Sequence, residues 1–277
     1  MRFTVFGSSG FVGNALSRYL RDKGEEVLVP SRREIREWLA TEQSPYLGRV
    51  VFCVGLTADF RTRPQATVEA HVGLLTNLSS LKSIESVTYL SSTRLYSGQT
   101  DSTEDCGSFI VPPFNGESLY NTSKLLGETF VLNHLPGGRV ARLSNVYGPG
   151  DEGSPNFLPS ILRDAASCGR VIFQNSPDSA KDFVSIADVV SWLYLLARSD
   201  QRGIFNLASG ISTSNLDISK VLVSRGIACS FADNAPTVTY PSIRNAKISQ
   251  EFGAPKHQLL SDLPILLEVH QRGIQNV

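Results

Sequence analysis

Gly7-Ser8-Ser9-Gly10-Phe11-Val12-Gly13 is the segment that most restricts what this chain can become. A short run of β-formers, Arg2–Phe6, precedes it. Phe11, Val12, Ala15, Leu16 and Leu20 follow at helical spacing. A strand that turns on glycines straight into a helix opens a βαβ unit. Gly7 permits the tight turn, Gly10 lets the backbone approach a pyrophosphate, and Gly13 lets helix and strand pack closely. The helix start offers N–H groups and the positive end of its dipole to phosphates. Glycines alone often mark only a turn, but the strand–turn–helix setting favours dinucleotide binding.

The same alternation continues along the chain. Glu26–Pro30 and Val50–Val54 read as strands, without polar alternation because both faces are to be buried. Thr67–Leu81 reads as a long amphipathic helix, Val87–Ser91 as a strand, Tyr120–Asn133 as a helix and Gly138–Leu143 as a strand. This order predicts an α/β, Rossmann-like, doubly wound parallel sheet. Only about twenty residues separate Pro30 from Val50, too few for the usual helix, strand and helix. Glu34–Leu39 supplies a short helix and no third strand follows, so one sheet edge is expected to be trimmed. The C-terminal third is less regular. Pro and Gly punctuate Pro149–Pro159, Asp182–Ala197 reads as a strand-to-helix unit, and Ser214–Val223 as an amphipathic helix.

Composition narrows the function. The 277 residues carry 26 basic and 26 acidic side chains, and 41% are hydrophobic. A chain so apolar and uncharged overall is not disordered, and it lacks the cationic surplus that a nucleic acid polymer demands. The longest apolar stretch, around Val189–Ala197, falls well short of the roughly 20 residues a bilayer requires. The N-terminus breaks at once into Gly and Ser, unlike a secretory signal. Cys53, Cys106, Cys168 and Cys229 are scattered with no CxxC, which speaks against a metal site or a disulfide framework and fits a reducing cytoplasm.

Three further segments carry chemistry. Val29-Pro30-Ser31-Arg32-Arg33 ends the second strand with two guanidiniums where an NAD-binding chain normally has an acid. Their charge suits a 2′-phosphate, favouring NADP(H), although a solvated basic turn would look the same and NAD(H) stays open. Tyr120 and Lys124 lie four apart, on one helix face, where an ammonium lowers a phenol's pKa. Tyr89-Leu90-Ser91-Ser92-Thr93-Arg94-Leu95-Tyr96 ends an apolar strand in hydroxyls that would face the ligand crevice, unless they only cap a turn.

Taken together, these segments resemble the extended short-chain dehydrogenase/reductase superfamily, specifically its NAD-dependent epimerase/dehydratase family of nucleotide-sugar enzymes. The likeness extends to Arg142-Leu143-Ser144-Asn145-Val146-Tyr147-Gly148-Pro149-Gly150, to Lys181-Asp182-Phe183-Val184-Ser185-Ile186-Ala187-Asp188-Val189, and to Phe205-Asn206-Leu207-Ala208-Ser209-Gly210. It implies that Tyr120 is the general acid/base, that Lys124 binds the nicotinamide ribose and lowers the Tyr120 pKa, and that Ser92 hydrogen-bonds the reacting sugar oxygen. Cofactor contacts are implied at Gly7, Ser9, Gly10, Phe11, Val12, Gly13, Ser31, Arg32, Arg33, Val54 and Gly55. Substrate contacts are implied at Ser92, Thr93, Asn145 and Asn156, with Lys181 and Arg244 clamping the diphosphate. Residues 1–147 and 182–209 would form the dinucleotide-binding domain. Residues 148–181 and 210–277 would form a smaller α+β substrate-binding lobe. An isologous homodimer through Pro64–Leu81 and Leu119–Asn133 is also implied.

Dehydrating members of that family carry Asp-Glu directly after the catalytic hydroxyl. Here Thr93 and Arg94 stand there, and a guanidinium cannot act as a base. Reduction of a 4-keto nucleotide sugar by NADPH and C4 epimerisation with retained NAD therefore remain, with reduction favoured by Arg32-Arg33. A catalytically silent nucleotide-binding regulator is the alternative of another class. His71, where the family usually has Asn, is expected to be a packing residue of its helix.

Overall fold

Phe3, Val5 and Phe6 are fully buried because their strand, β1 (Arg2–Phe6), is an interior strand of a six-stranded sheet. The computed structural model describes residues 1–56, 59–81, 83–106, 109 and 111–275, without the side chains of the last two. The sheet continues with β2 (Glu26–Leu28), β3 (Gly48–Phe52), β4 (Ile84–Ser92) and β5 (Arg139–Leu143). After β6 (Asn145–Tyr147), β7 (Arg170–Phe173) and β8 (Ala180–Ser185), the sheet is completed by β9 (Gly203–Leu207). Its order is β2-β1-β3-β4-β5-β9, all parallel, with Val5 opposite Val51, Phe52 opposite Tyr89 and Ala141 opposite Phe205. The trimmed edge is real: β2 is outermost, and the chain returns directly to β3.

Helices cover both faces. On one side α1 (Phe11–Asp22) packs beside a later helix, Ile186–Arg198. Leu16 and Leu20 meet Val189, Leu193 and Leu196 there, all without exposed surface. The opposite face carries α2 (Arg32–Thr41), α3 (Pro64–Val68), α4 (Leu74–Asn77) and α5 (Ser118–His134), which enclose Leu75, Leu78, Val87, Tyr89 and Val131. The lobe beyond β5 contains α6 (Phe157–Cys168), α8 (Asn215–Ser224) and α10 (Leu259–Gln275), with the Ile186–Arg198 helix as α7 and Ala246–Phe252 as α9. Its own core includes Leu158, Leu162, Phe173, Phe183, Leu222, Leu263 and Leu267. There β6 and β8 join β10 (Ser212–Ser214) in a three-stranded sheet, and β7 pairs with β11 (Ala228–Phe231).

The long helix expected over 67–81 is interrupted. Between α3 and α4 the chain makes one π-helical turn, Glu69–Gly73. Such widened turns free backbone carbonyls for outside partners. Here the Tyr89 hydroxyl donates to the His71 carbonyl at 3.2 Å.

Motifs far apart in sequence meet in one buried polar network. The Arg142 guanidinium, 1% exposed, donates to both Glu128 oxygens at 2.9 and 2.6 Å and to the Tyr96 hydroxyl at 2.7 Å. Tyr96 in turn donates to Asn206 Oδ1 at 2.9 Å, and Asn206 Nδ2 donates to the Ser102 and Arg244 carbonyls. The network ties α5 and the end of β4 to β5 and β9. Arg142→Met leaves Glu128 buried and unpaired, which is expected to cost about 3–5 kcal/mol. Urea denaturation should show that Arg142→Met/Glu128→Leu together lose less than the sum of the single losses. Additive losses would mean that the pair is not coupled.

Candidate active site

Strand order reverses between β1 and β3, and a parallel sheet opens a ligand crevice at the carboxyl ends of its strands at that point. A cleft of about 870 Å³ lies there, lined by Gly10–Gly13, Cys53–Gly55, Ser91–Arg94, Tyr120 and Lys124 from the sheet side. Asn145, Asn156, Lys181 and Tyr240 face it from the lobe side.

The glycine turn behaves as its spacing demands. Gly7 has φ +81°, and a Cβ there would sit 2.8 Å from the Cys53 carbonyl carbon. A Cβ on Gly13 would run into the Gly7 carbonyl oxygen. Gly10 is different, because its Cβ would meet only that oxygen, at 3.4 Å, and the residue borders the cleft. No side chain caps the α1 N-terminus and no acid lies in its first turn. Ser31, Ser185 and Ser214, by contrast, cap α2, α7 and α8. A first turn left with N–H groups facing a cleft fits a pyrophosphate.

At the end of β4, Ser92 accepts a hydrogen bond from the Arg94 N–H at 3.1 Å and lines the cleft together with Tyr120. Burial raises the Tyr120 pKa; the Ser92 hydroxyl beside it and the Arg94 charge oppose that rise. Lys124, one turn along α5, is 4% exposed and donates from Nζ to the Leu90 carbonyl at 2.8 Å. Burial lowers its pKa to about 7, against the pull of Glu128 and Cys53. The Arg94 charge is one that opposes the burial-driven rise at Tyr120.

His71 is more than a packing residue. It is fully buried, with Nδ1 2.8 Å from Ser123 Oγ and Nε2 accepting from the Leu56 N–H at 3.4 Å. Ser123 Oγ also lies 2.9 Å from the Tyr120 carbonyl, which it can meet as donor. Burial first, and Lys124 second, lower the His71 pKa to about 3. The neutral ring thus braces α5 against the loop after β3, edge-on to Tyr120 at 5.1 Å.

Other expected contacts divide into two groups. Val54, Gly55, Thr93, Asn145, Asn156 and Lys181 border the cleft. Two of these also serve the frame: Thr93 donates to the Leu143 carbonyl at 3.3 Å, and Asn145 to the Asp182 carbonyl at 2.8 Å. Gly7 and Ser9 are not among the residues that border the cleft. Ser31, Arg32, Arg33 and Arg244 do not border the cleft either. Ser31 is held by Glu34 in a capping box, Arg33 pairs with Glu37 at 2.8 Å, and exposed Arg244 acts on Asp101. Phe60, Arg61 and Glu117 beside Tyr120 had no motif to announce them. Their one signal is position, in the segments that follow parallel strands at the ligand end.

Comparison with known proteins supports the likeness. The model of the NAD-dependent epimerase/dehydratase family matches residues 3–208. UDP-glucuronic acid decarboxylase 1 of Arabidopsis thaliana is 25% identical, over 100% of this chain and 71% of that protein. Among solved structures, MoeE5 in complex with UDP-glucuronic acid and NAD superposes with a TM-score of 0.82 at 18% identity, covering 99% of this chain and 100% of that one. RMD from Pseudomonas aeruginosa, complexed with NADPH, gives 0.78 at 22% identity, covering 98% and 100%.

Two measurements test the site. Gly10→Ala should cost only about 1 kcal/mol of stability while weakening dinucleotide binding on the order of tenfold or more by titration calorimetry; Gly13→Ala should fail already in thermal denaturation. For His71, the unfolded ring titrates near ~6.5 and the folded one near about 3. Within that window the unfolded chain binds more protons, so acidification removes stability, by at most about 1.4 kcal/mol per pH unit. His71→Asn should flatten this slope in urea midpoints. An unchanged slope would assign the proton uptake to another group.

Proposed function

The chain belongs to the NAD-dependent epimerase/dehydratase family, and from that premise we propose that it reduces a 4-keto nucleotide sugar with NADPH. The observation that carries the reading is the meeting of Ser92, Tyr120 and Lys124 with the glycine turn along one cleft. When bound, the nicotinamide supplies the hydride. Phe11–Gly13 N–H groups hold the pyrophosphate, and Lys124 holds the nicotinamide ribose through its ammonium. Ser92 donates to the sugar C4 oxygen and orients it toward Tyr120. Tyr120 then delivers its phenolic proton to that oxygen as charge develops on it. Lys181, half-buried in the lobe wall, and the Asn156 side chain hold the nucleotide diphosphate end. Arg94, standing where a dehydrating enzyme needs an acid, offers no proton-transfer partner for loss of water.

One observation favours C4 epimerisation with retained NAD as the second reading. Glu34 folds back onto the Ser31 N–H at 2.8 Å, placing a carboxylate at the end of β2, and Arg33 is committed to Glu37. That leaves Arg32 as the cation for a 2′-phosphate. Val68, Leu119 and Leu126 are exposed on α3 and α5, so the reading includes an isologous dimer through these helices.

Incubation with NADPH and a panel of 4-keto nucleotide sugars should consume the reduced-nicotinamide absorbance. Tyr120→Phe should lower kcat by about 10² or more with dinucleotide affinity kept. Tightly held NAD, with interconversion of C4 epimers and no net NADPH use, would select the epimerase instead. Nucleotide binding with no turnover of any sugar would overturn both.

A further inference from the structure

The charge arrangement beside Tyr120 is larger than hydride transfer requires. The Arg94 guanidinium lies 5.6 Å from the Tyr120 ring centroid and 5.1 Å from that of Phe60. Arg61 lies 4.5 Å from the same Phe60 ring, which is buried and packs against Tyr120 at 5.0 Å between centroids. Both guanidiniums share a single carboxylate, Arg61 on Glu117 Oε1 and Arg94 on Oε2. Two cations against one anion leave a positive charge in excess. Asp59, the other acid on this wall, pairs with Arg63 at 3.5 Å. Across the cleft stands Lys181, whose charge is disfavoured first by burial and then by Arg94. The space between Arg94, Lys181 and Tyr120 therefore favours an anion.

Arg94 is equipped to bind one. Its side chain is 28% exposed, it borders the cleft, and only Nη2 is engaged with a carboxylate among the described residues. A planar guanidinium backed by aromatic rings and partly removed from water is a fork for carboxylates. A neutral sugar at Tyr120 would leave the excess charge uncompensated. A sugar bearing a carboxylate next to the reacting carbon would bring the cluster to two cations and two anions. We infer that Arg94, backed by Arg61 and held by Glu117, recognises a carboxylate on the sugar, so that the substrate is an acidic nucleotide sugar. This rests on the reading of the cleft as a nucleotide-sugar site.

UDP-glucuronate and UDP-glucose share base, ribose and diphosphate and differ at C6, so titration calorimetry of the NAD-loaded protein with each isolates the carboxylate. UDP-glucuronate should bind on the order of tenfold more tightly. Arg94→Gln should abolish that preference while holding UDP-glucose affinity within about twofold, a built-in check that the variant is folded. Arg94→Lys, which keeps the charge and loses the fork, should fall between. Glu117→Gln, which removes the competing carboxylate, should bind UDP-glucuronate more tightly. Binding of both ligands with no preference overturns the carboxylate site alone. Equal weakening of both by Arg94→Gln assigns the charge to the diphosphate and also overturns it. Binding of neither, with NAD affinity intact, overturns the nucleotide-sugar reading and the inference with it.

Discussion

The bidentate pair between Arg142 and Glu128 is the interaction on which the geometry of the cleft depends. Each charge is stripped of water, so each is tolerable only with the other in place. Because Glu128 belongs to α5 and Arg142 to β5, the pair fixes the helix that carries Tyr120 and Lys124 at one height above the sheet. Because the same guanidinium also bonds Tyr96, it fixes the turn just past Ser92. The Ser92 hydroxyl and the Tyr120 phenol, carried by different elements, are thereby brought to one wall of the cleft. A second buried anion closes the lobe side: Asp182 accepts from Ser144 Oγ at 2.6 Å and from the Ser209 and Gly210 N–H groups at 3.0 and 2.7 Å.

Desolvation governs the titrating groups inside this frame. It raises the Tyr120 pKa and lowers those of Lys124 and His71. A neutral His71 can accept from Leu56 and still engage Ser123, which a protonated ring could not do. Zero net charge over the whole chain thus conceals local imbalance. Arg61 and Arg94 gather at one wall of the cleft and share Glu117, and Lys181 faces them from the lobe side.

Much of the fold was legible because its signals are local. The apolar run at β1, the glycine turn and the spacing of Phe11 to Leu20 each depend on near neighbours, as does the shortness of the segment between β2 and β3. The π turn at Glu69–Gly73 was not legible, since helical periodicity is blind to a single inserted residue and the partner that holds it open, Tyr89, comes from another strand. Arg32 and Arg33 read as ligands because they stand at a strand end. Their surroundings, however, are set by the helix that begins there, whose own Glu34 and Glu37 are drawn toward them. Arg244 does not border the cleft, and its backbone is held by Ser102 and Asn206.

The sequence by itself determined the parallel sheet, its missing edge strand, the glycine-lined helix start and the pairing of Tyr120 with Lys124 on one face. Each follows from chain spacing and from the stereochemistry of glycine, strand and helix. Only the tertiary structure decided which charge acts on which group. Electrostatic effects depend on distance and on exclusion of water, and both are set by contacts between segments such as 59–63, 92–96 and 117–128. That is why Lys124 is turned toward Leu90, why His71 lies sealed beside Tyr120, and why the Arg94 guanidinium lies over the Tyr120 ring.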